Sequence, residues 1–562
     1  MAGNILTPNA IWGGFKVNTP IGIEVVGERS KGNIIYSDVF IEGRKTADGC
    51  VEIFGVYAKS AQLSVSTPAI LVLNDLVSGV DYTLIEDLVK RGYAVLAIDL
   101  AGKVDGKENF TVYPESVSYA NYETVKDKLT AVDGDANQTC WYEWCCAARY
   151  ALAFLKSQNG VSKVGAIASG DVATVLWQVA GTDELLDAAA FTLNAGWAGY
   201  RGIYKYAGTV EPQFDDNMYK FIAGIEPQAY AMHVKCPVLM LAATNSKLYD
   251  CDRVYDTVSR INENLFRAVH YSVGYEKGVG FNAYQNLLLF FNELLNKEGG
   301  VAELPLEPEI KCEILNGEFL IEVTPCVKDL ESVAVYVSEE QIAPSVRCWQ
   351  KISAFTLSSD GKYTFKYLPY SNSGIVTVFA TVKHNSGFEL CTNIVAKRFK
   401  ENEINQAFKQ NIIYSSREEN SESVFTSVEK EYDFITVSDK SPVKVKKGPM
   451  GILGVTAKNG LLTFKMGAKR YKPTDGAMLM LDIYVKEKCV LTVKLFADYA
   501  GNRTEYIANV NVLGGDVWHN VQLEMNKFKT CEGMALKSYQ KLDAIGFSVD
   551  GVDYLINNAL WV

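Results

Sequence analysis

Long apolar runs, paired cysteines and imidazoles are all scarce in this chain. No uninterrupted apolar stretch reaches the roughly 18 to 20 residues of a membrane-spanning helix, so no span is expected. Basic residues are the minority: 55 Lys and Arg stand against 66 Asp and Glu, a net charge of −11. Such a surface repels phosphate backbones and argues against a nucleic-acid partner. The 12 cysteines contain no CxxC pair, and none forms a Cys/His cluster with zinc spacing. No metal or cofactor is therefore expected. Several cysteines lie inside apolar segments, where the reduced side chain acts as a small hydrophobe. That favours a reducing, cytoplasmic location. The opening MAGNILTPNAIWGGFK lacks a signal peptide's charged start and long apolar centre; secretion would require a leader removed upstream. Histidine occurs four times, at positions 233, 270, 384 and 519.

What is present is an ordinary globular composition, 48% hydrophobic and 22% charged over 562 residues. That length suggests about three domains. Short apolar runs suited to buried strands recur at Ala69 to Leu73, Ala94 to Ile98, Val164 to Ile167, Ala188 to Leu193, Val238 to Ala242 and Ala268 to Val273. Strand patterns also precede them at Ile34 to Ile41 and Cys50 to Tyr57. Helical periodicity intervenes at Tyr82 to Lys90, Tyr142 to Lys156, Val172 to Ala180, Asp252 to Asn264 and Asn282 to Lys297. Alternation of this kind predicts a doubly wound, mostly parallel sheet over residues 1–300, with any site at the carboxyl ends of its strands. At Gly299 the pattern changes. Residues 303–310 read as a stiff linker, and residues 301–400 as a small β-sandwich. Residues 401–428 are polar and read as a linker or strap, and residues 429–562 as a jelly-roll sandwich.

The first 300 residues resemble the acetyl-xylan esterase and dienelactone hydrolase branch of the α/β-hydrolases. The resemblance runs through Pro68 to Asn74, Arg91-Gly-Tyr-Ala-Val-Leu-Ala-Ile-Asp99, Lys163 to Gly181 and Lys235 to Asn245, in that order. It implies a nucleophile on a tight strand-to-helix turn, a histidine to take its proton and a carboxylate to orient the histidine. The turn here reads Gly165-Ala-Ile-Ala-Ser-Gly-Asp-Val-Ala173. Aligned by strand length, the nucleophile position falls on Gly170, which has no side chain. Ser169 is one residue early and would need the strand to end sooner. The acid position falls on Ser246; Asp250 and Asp252 lie just beyond, and Asp252 also suits the N-cap of the following helix. The loop that should hold the histidine, Gly274 to Gly280, has Lys277 and no histidine. His270 lies several residues early, within the strand.

Loss of nucleophile, acid and base together points to a hydrolase fold without its proton relay. A ligand could still be held by Asn74, Trp141, Glu143, Trp144, Trp197, Tyr200 and Arg201, aromatics and polar groups expected near the strand ends. The middle sandwich resembles Ig-like modules. The last resembles galactose-binding-like carbohydrate-binding modules, with Tyr471, Tyr499 and Trp518 as candidate sugar platforms. Three readings follow. One is a carbohydrate-associated protein with little or no catalysis, binding a carbohydrate or acylated small molecule. The second is a working carbohydrate esterase using Ser169, with His270 as base. The third is a scaffold, for which homo-oligomerisation is left open.

Overall fold

The computed structural model describes residues 3–62, 66–104, 106–208, 211–296, 304–327, 329–417, 425–427, 434–437 and 443–562. Nine strands form the first sheet: β1 (Ile23–Lys31), β2 (Ile34–Lys45), β3 (Cys50–Ser60), β4 (Thr67–Leu73), β5 (Ala94–Ile98), β6 (Val161–Ser169), β7 (Ala188–Thr192), β8 (Val238–Ala243) and β9 (Arg267–Ser272). Their order is β1-β2-β3-β5-β4-β6-β7-β8-β9. The first three are antiparallel, β3 pairs antiparallel with β5, and β5 to β9 run parallel. Strands β4, β5, β7 and β8 are buried at every residue, because helices cover both faces. Helices Cys140–Ser157, Ala173–Thr182 and Cys251–Val258 pack one core, and Tyr82–Lys90 and Phe281–Phe291 the other. This mixed, doubly covered sheet fits the α/β-hydrolase fold.

The second half is all β. One core, including Phe319, Ile321, Val335, Val337 and Val378, lies between a four-stranded and a five-stranded sheet. Another, including Leu481, Ile483, Val493 and Leu495, lies between a six-stranded and a five-stranded sheet.

One strand went unread, and three expectations need correction. Strand β1 carries no alternation because nearly all of it is exposed at the sheet edge, so periodicity could not reveal it. The helix expected over 252–264 ends at Val258. The stretch read as patternless linker contains Ile412–Ser415, which pairs with Tyr554–Trp561, and Thr426–Ser427, which pairs with Leu461–Thr463. Two-strand insertions this short are set by their partners, not by local pattern. Residues 434–437, counted with the last domain, lie instead on the first. Val279 N–H donates to Phe434 O (3.0 Å), and Thr436 N–H donates to Val279 O (3.2 Å).

Candidate functional site

The elbow forms where β6 passes into the turn Gly170–Val172 and then the helix Ala173–Thr182. Gly170 has φ +60, the left-handed conformation that a sharp strand-to-helix turn demands and glycine adopts freely. A Cβ placed there would meet Phe434 Cε1 at 2.9 Å and Tyr249 Oη at 3.1 Å. Ser169 is still extended (φ −128, ψ 150) and pairs with Thr192. The register continues from Thr192 to Leu241 and from Leu241 to His270. Ser169 and His270 are thus in one row, three strand spacings or about 14 Å apart along the backbone.

His270 belongs to another contact. It is buried, with Nδ1 3.3 Å from Glu389 O and 3.5 Å from Glu389 Oε1 on the middle sandwich. Burial lowers its pKa, and the Glu389 charge only partly offsets that. His384 contacts Ser386, and His519 contacts Gly514 O. Among the described residues, no histidine hydrogen-bonds Ser169.

The loop after β8 has been given other partners. Asn245 Nδ2 donates to Arg347 O (2.9 Å) and Ser345 O (3.4 Å). Ser246 Oγ accepts from Tyr249 N–H at 3.3 Å. The helix cap is Asp250, not Asp252 as expected: Asp250 Oδ1 accepts from Asp252 N–H at 2.9 Å. Asp252 faces inward, where Arg347 of the middle sandwich grips both its oxygens, one at 2.7 Å. Both side chains are 0% exposed. Burial, and then the Asp252 charge, push the Asp250 pKa up to about 7. Asp250, Cys251 and Asp252 are the one cluster of potential metal ligands among the described residues; Arg347 already pairs with Asp252, and Arg253 Nε lies 3.4 Å from Asp250. Lys277, at the expected base position, is exposed.

Around the elbow, Asp171 Oδ1 accepts from Tyr249 Oη (3.3 Å) and lies 3.6 Å from Arg201. Burial raises the Asp171 pKa, and Arg201 opposes the rise. Asn74 is buried just after β4, its Nδ2 donating to Ile98 O (2.9 Å) and its Oδ1 without a partner among the described residues. Trp197 has φ +68, held by its N–H to Glu226 (2.9 Å) and its indole to Thr257 (2.9 Å). Tyr200 lies under Arg253, 4.3 Å from the ring centre, and its hydroxyl donates to Glu211.

The other expected pocket residues are packing groups. Trp141 and Trp144 are buried, their indoles donating to Leu129 O (2.8 Å) and Ala120 O (2.9 Å). Glu143, also buried, accepts from Arg44 Nε at 3.0 Å. An alternating aromatic–acid run at a helix start reads equally as cleft or core, and here it is core. Tyr471 and Tyr499 offer no sugar face either. Both are buried, Tyr499 against Phe464 and Phe496 with Lys247 Nζ 4.3 Å from its ring. Trp518 is half-buried, 5.9 Å from the Tyr484 ring. Sequence reasoning missed Arg347, Tyr249, Glu389 and Phe434. Each acts across a long sequence separation, and none stands in a motif.

No protein-family model matches the chain, and no curated protein does. Solved structures similar to it include an acetyl xylan esterase from Paenibacillus sp. R4, at 15% identity over 51% of this chain and 92% of that one, TM-score 0.39. Acetyl xylan esterase 1 from Thermoanaerobacterium sp. JW/SL YS485 aligns at 12% identity over 48% and 85%, TM-score 0.34. A putative dienelactone hydrolase from Klebsiella pneumoniae aligns at 14% identity over 45% and 90%, TM-score 0.29. The class, an α/β-hydrolase fold over the N-terminal half, rests on the strand order and its helical covering.

Proposed function

We propose that this is a non-catalytic, carbohydrate-associated protein on an α/β-hydrolase scaffold, whose elbow is covered by Phe434. One observation supports the reading: the turn after β6 is made by Gly170 with φ +60, and Phe434 lies against the space that a side chain there would fill. Acyl transfer needs an attacking atom with a base in hydrogen-bond reach, about 2.6 to 3.2 Å. Among the described residues no base hydrogen-bonds Ser169, and the loops that would bring the acid and base contact Arg347 and residues 434–436 instead. The carbohydrate association follows the resemblance of the first 300 residues to carbohydrate esterases, with the two later sandwiches read as Ig-like and jelly-roll modules.

The test is p-nitrophenyl acetate hydrolysis by the full chain. Turnover should not exceed buffer, and Ser169→Ala should change nothing. Saturable turnover abolished by Ser169→Ala would overturn the non-catalytic reading. Native gels cast with soluble acetylated xylan test the carbohydrate part, which unretarded migration on that and on galactan would remove.

A further inference from the structure

The last sandwich has one anchored side and one outward side. Leu462, Phe496 and Ala544 of its five-stranded sheet, with Phe464 and Tyr499 beside them, pack on Val346 and Cys348 of the middle sandwich. Phe464 O also accepts from Gln341 Nε2 at 2.9 Å. The six-stranded sheet lies across the core from this contact. In its strand Leu479–Val485, residues 479, 481, 483 and 485 are buried in that core, so Met480, Asp482 and Tyr484 point the other way. The register carries this outer face across three strands. Asp482 stands opposite Asn520 of His519–Leu523 and opposite Asn558 of Tyr554–Trp561. The side chains join in a row: Asn520 Nδ2 donates to Asp482 Oδ1 (2.9 Å), and Asn558 Nδ2 donates to Asp482 Oδ2 (3.4 Å). Gln522, opposite Met480, extends the row by donating to Asn520 Oδ1 at 2.9 Å.

One end of the row is aromatic. Tyr484 stands opposite Leu555 on the same face, and the Trp518 ring lies 5.9 Å from the Tyr484 ring. Trp518 is fixed there: its indole donates to Pro449 O (3.3 Å), and a Cβ at Gly454 would come within 2.9 Å of its ring. Charges of both signs flank the row, Lys444 and Lys446 on the edge strand Val443–Lys447 and Glu524 beyond Gln522, so no single-sign field favours an ion as ligand. Among the described residues Asp482 keeps about two of a carboxylate's four acceptor positions open, and Gln522 keeps its carbonyl oxygen. The bonds within the row hold these groups in place before a ligand arrives, which lowers the ordering cost of binding. An apolar protein partner would bury the Asp482 charge without a counter-charge. A sugar chain fits instead, its hydroxyls pairing with the row and its C–H faces lying on the rings. We propose that this outer sheet face binds a hydroxyl-rich polysaccharide, with Asp482, Asn520 and Gln522 as the polar row and Tyr484 and Trp518 as the stacking end. The assignment rests on the carbohydrate-associated reading above and makes no use of the elbow.

The experiment is native gel electrophoresis of the full chain through graded concentrations of soluble acetylated xylan and of galactan. At least one polysaccharide should retard the wild type. Asp482→Ala should weaken that binding about tenfold or more, the worth of one hydrogen bond to a charged group. Asn520→Ala/Gln522→Ala and Tyr484→Ala should each weaken it severalfold. Asn520 and Gln522 are exposed, so the double variant should melt like wild type, and its loss of binding is then not a loss of fold. Wild type and all three variants retarded alike would overturn the proposal and leave the carbohydrate reading standing, because the sugar would then bind elsewhere. A wild type retarded by neither polysaccharide removes both. A wild-type dimer in light scattering that Asp482→Ala or the double variant dissociates also overturns it, since the face would then be covered by a second copy of the chain.

Discussion

Arg347→Met is the most informative single change. The guanidinium is fully buried, holds both oxygens of Asp252 across two domains, and donates from Nε to Gln341 O (3.0 Å) and from Nη2 to Ile342 O (3.0 Å). Truncation leaves a buried carboxylate without its counter-charge and two carbonyls without donors. Breaking one side of such a pair costs about 3–5 kcal/mol, whereas replacing both partners by apolar groups of similar volume is often close to neutral. In urea unfolding of the full chain, Arg347→Met should therefore lose about 3–5 kcal/mol and Asp252→Leu a comparable amount. The double variant should be much less destabilised than the sum, with a coupling of at least about 2 kcal/mol. A loss below about 1 kcal/mol in Arg347→Met, or strict additivity in the double variant, would refute the claim that this pair locks the former acid loop to the middle sandwich.

Two further outcomes follow from the same region. Asp250 ordinarily titrates near 3.8 and is raised to about 7 in the fold, so the folded state holds its proton more tightly than the unfolded chain. Stability from this group is then greatest below about pH 4 and is lost as pH rises toward 7; Asp250→Asn, which keeps the cap's acceptor oxygen, should flatten that slope in melting curves taken from pH 4 to 8. At the elbow, Gly170→Ala forces a Cβ into left-handed backbone and against Phe434, and should lower stability by about 2–4 kcal/mol. In a Phe434→Ala background the ring contact is gone, and the backbone strain of about 1–2 kcal/mol and the close approach to Tyr249 Oη should remain. An equal loss in both backgrounds would show that Phe434 does not fill the elbow.

The parallel sheet was readable because strands covered on both faces are short apolar runs, and Ala94–Ile98 was bounded to the residue by its composition alone. Strand length put Gly170 at the turn, and the backbone there is left-handed. What could not be read depends on distant partners. Trp141, Glu143 and Trp144 have the composition of a cleft, and only Arg44, about a hundred positions earlier in sequence, makes Glu143 a structural anion. Strand β1 is exposed along nearly its whole length, so no apolar face marked it. Tyr499 looks like a sugar platform until Lys247 and Phe464 are seen to cover it.

The three segments in which the proposal looks for a triad share one property: each makes contacts that hold distant parts of the chain together. Gly170 leaves room for the Phe434 ring. The loop after β8 supplies Asn245 and Asp252 to Arg347. The loop after β9 offers Val279 as both donor and acceptor to residues 434–436. A catalytic carboxylate must remain free to orient an imidazole, and a catalytic loop must admit substrate. Here Arg347 holds Asp252, both side chains 0% exposed, and Val279 is bridged to Ile435. On the non-catalytic proposal, a serine placed at position 170 would not bring turnover. Gly170→Ser would still lack an imidazole and would collide with Phe434, so it should lose stability and gain no turnover.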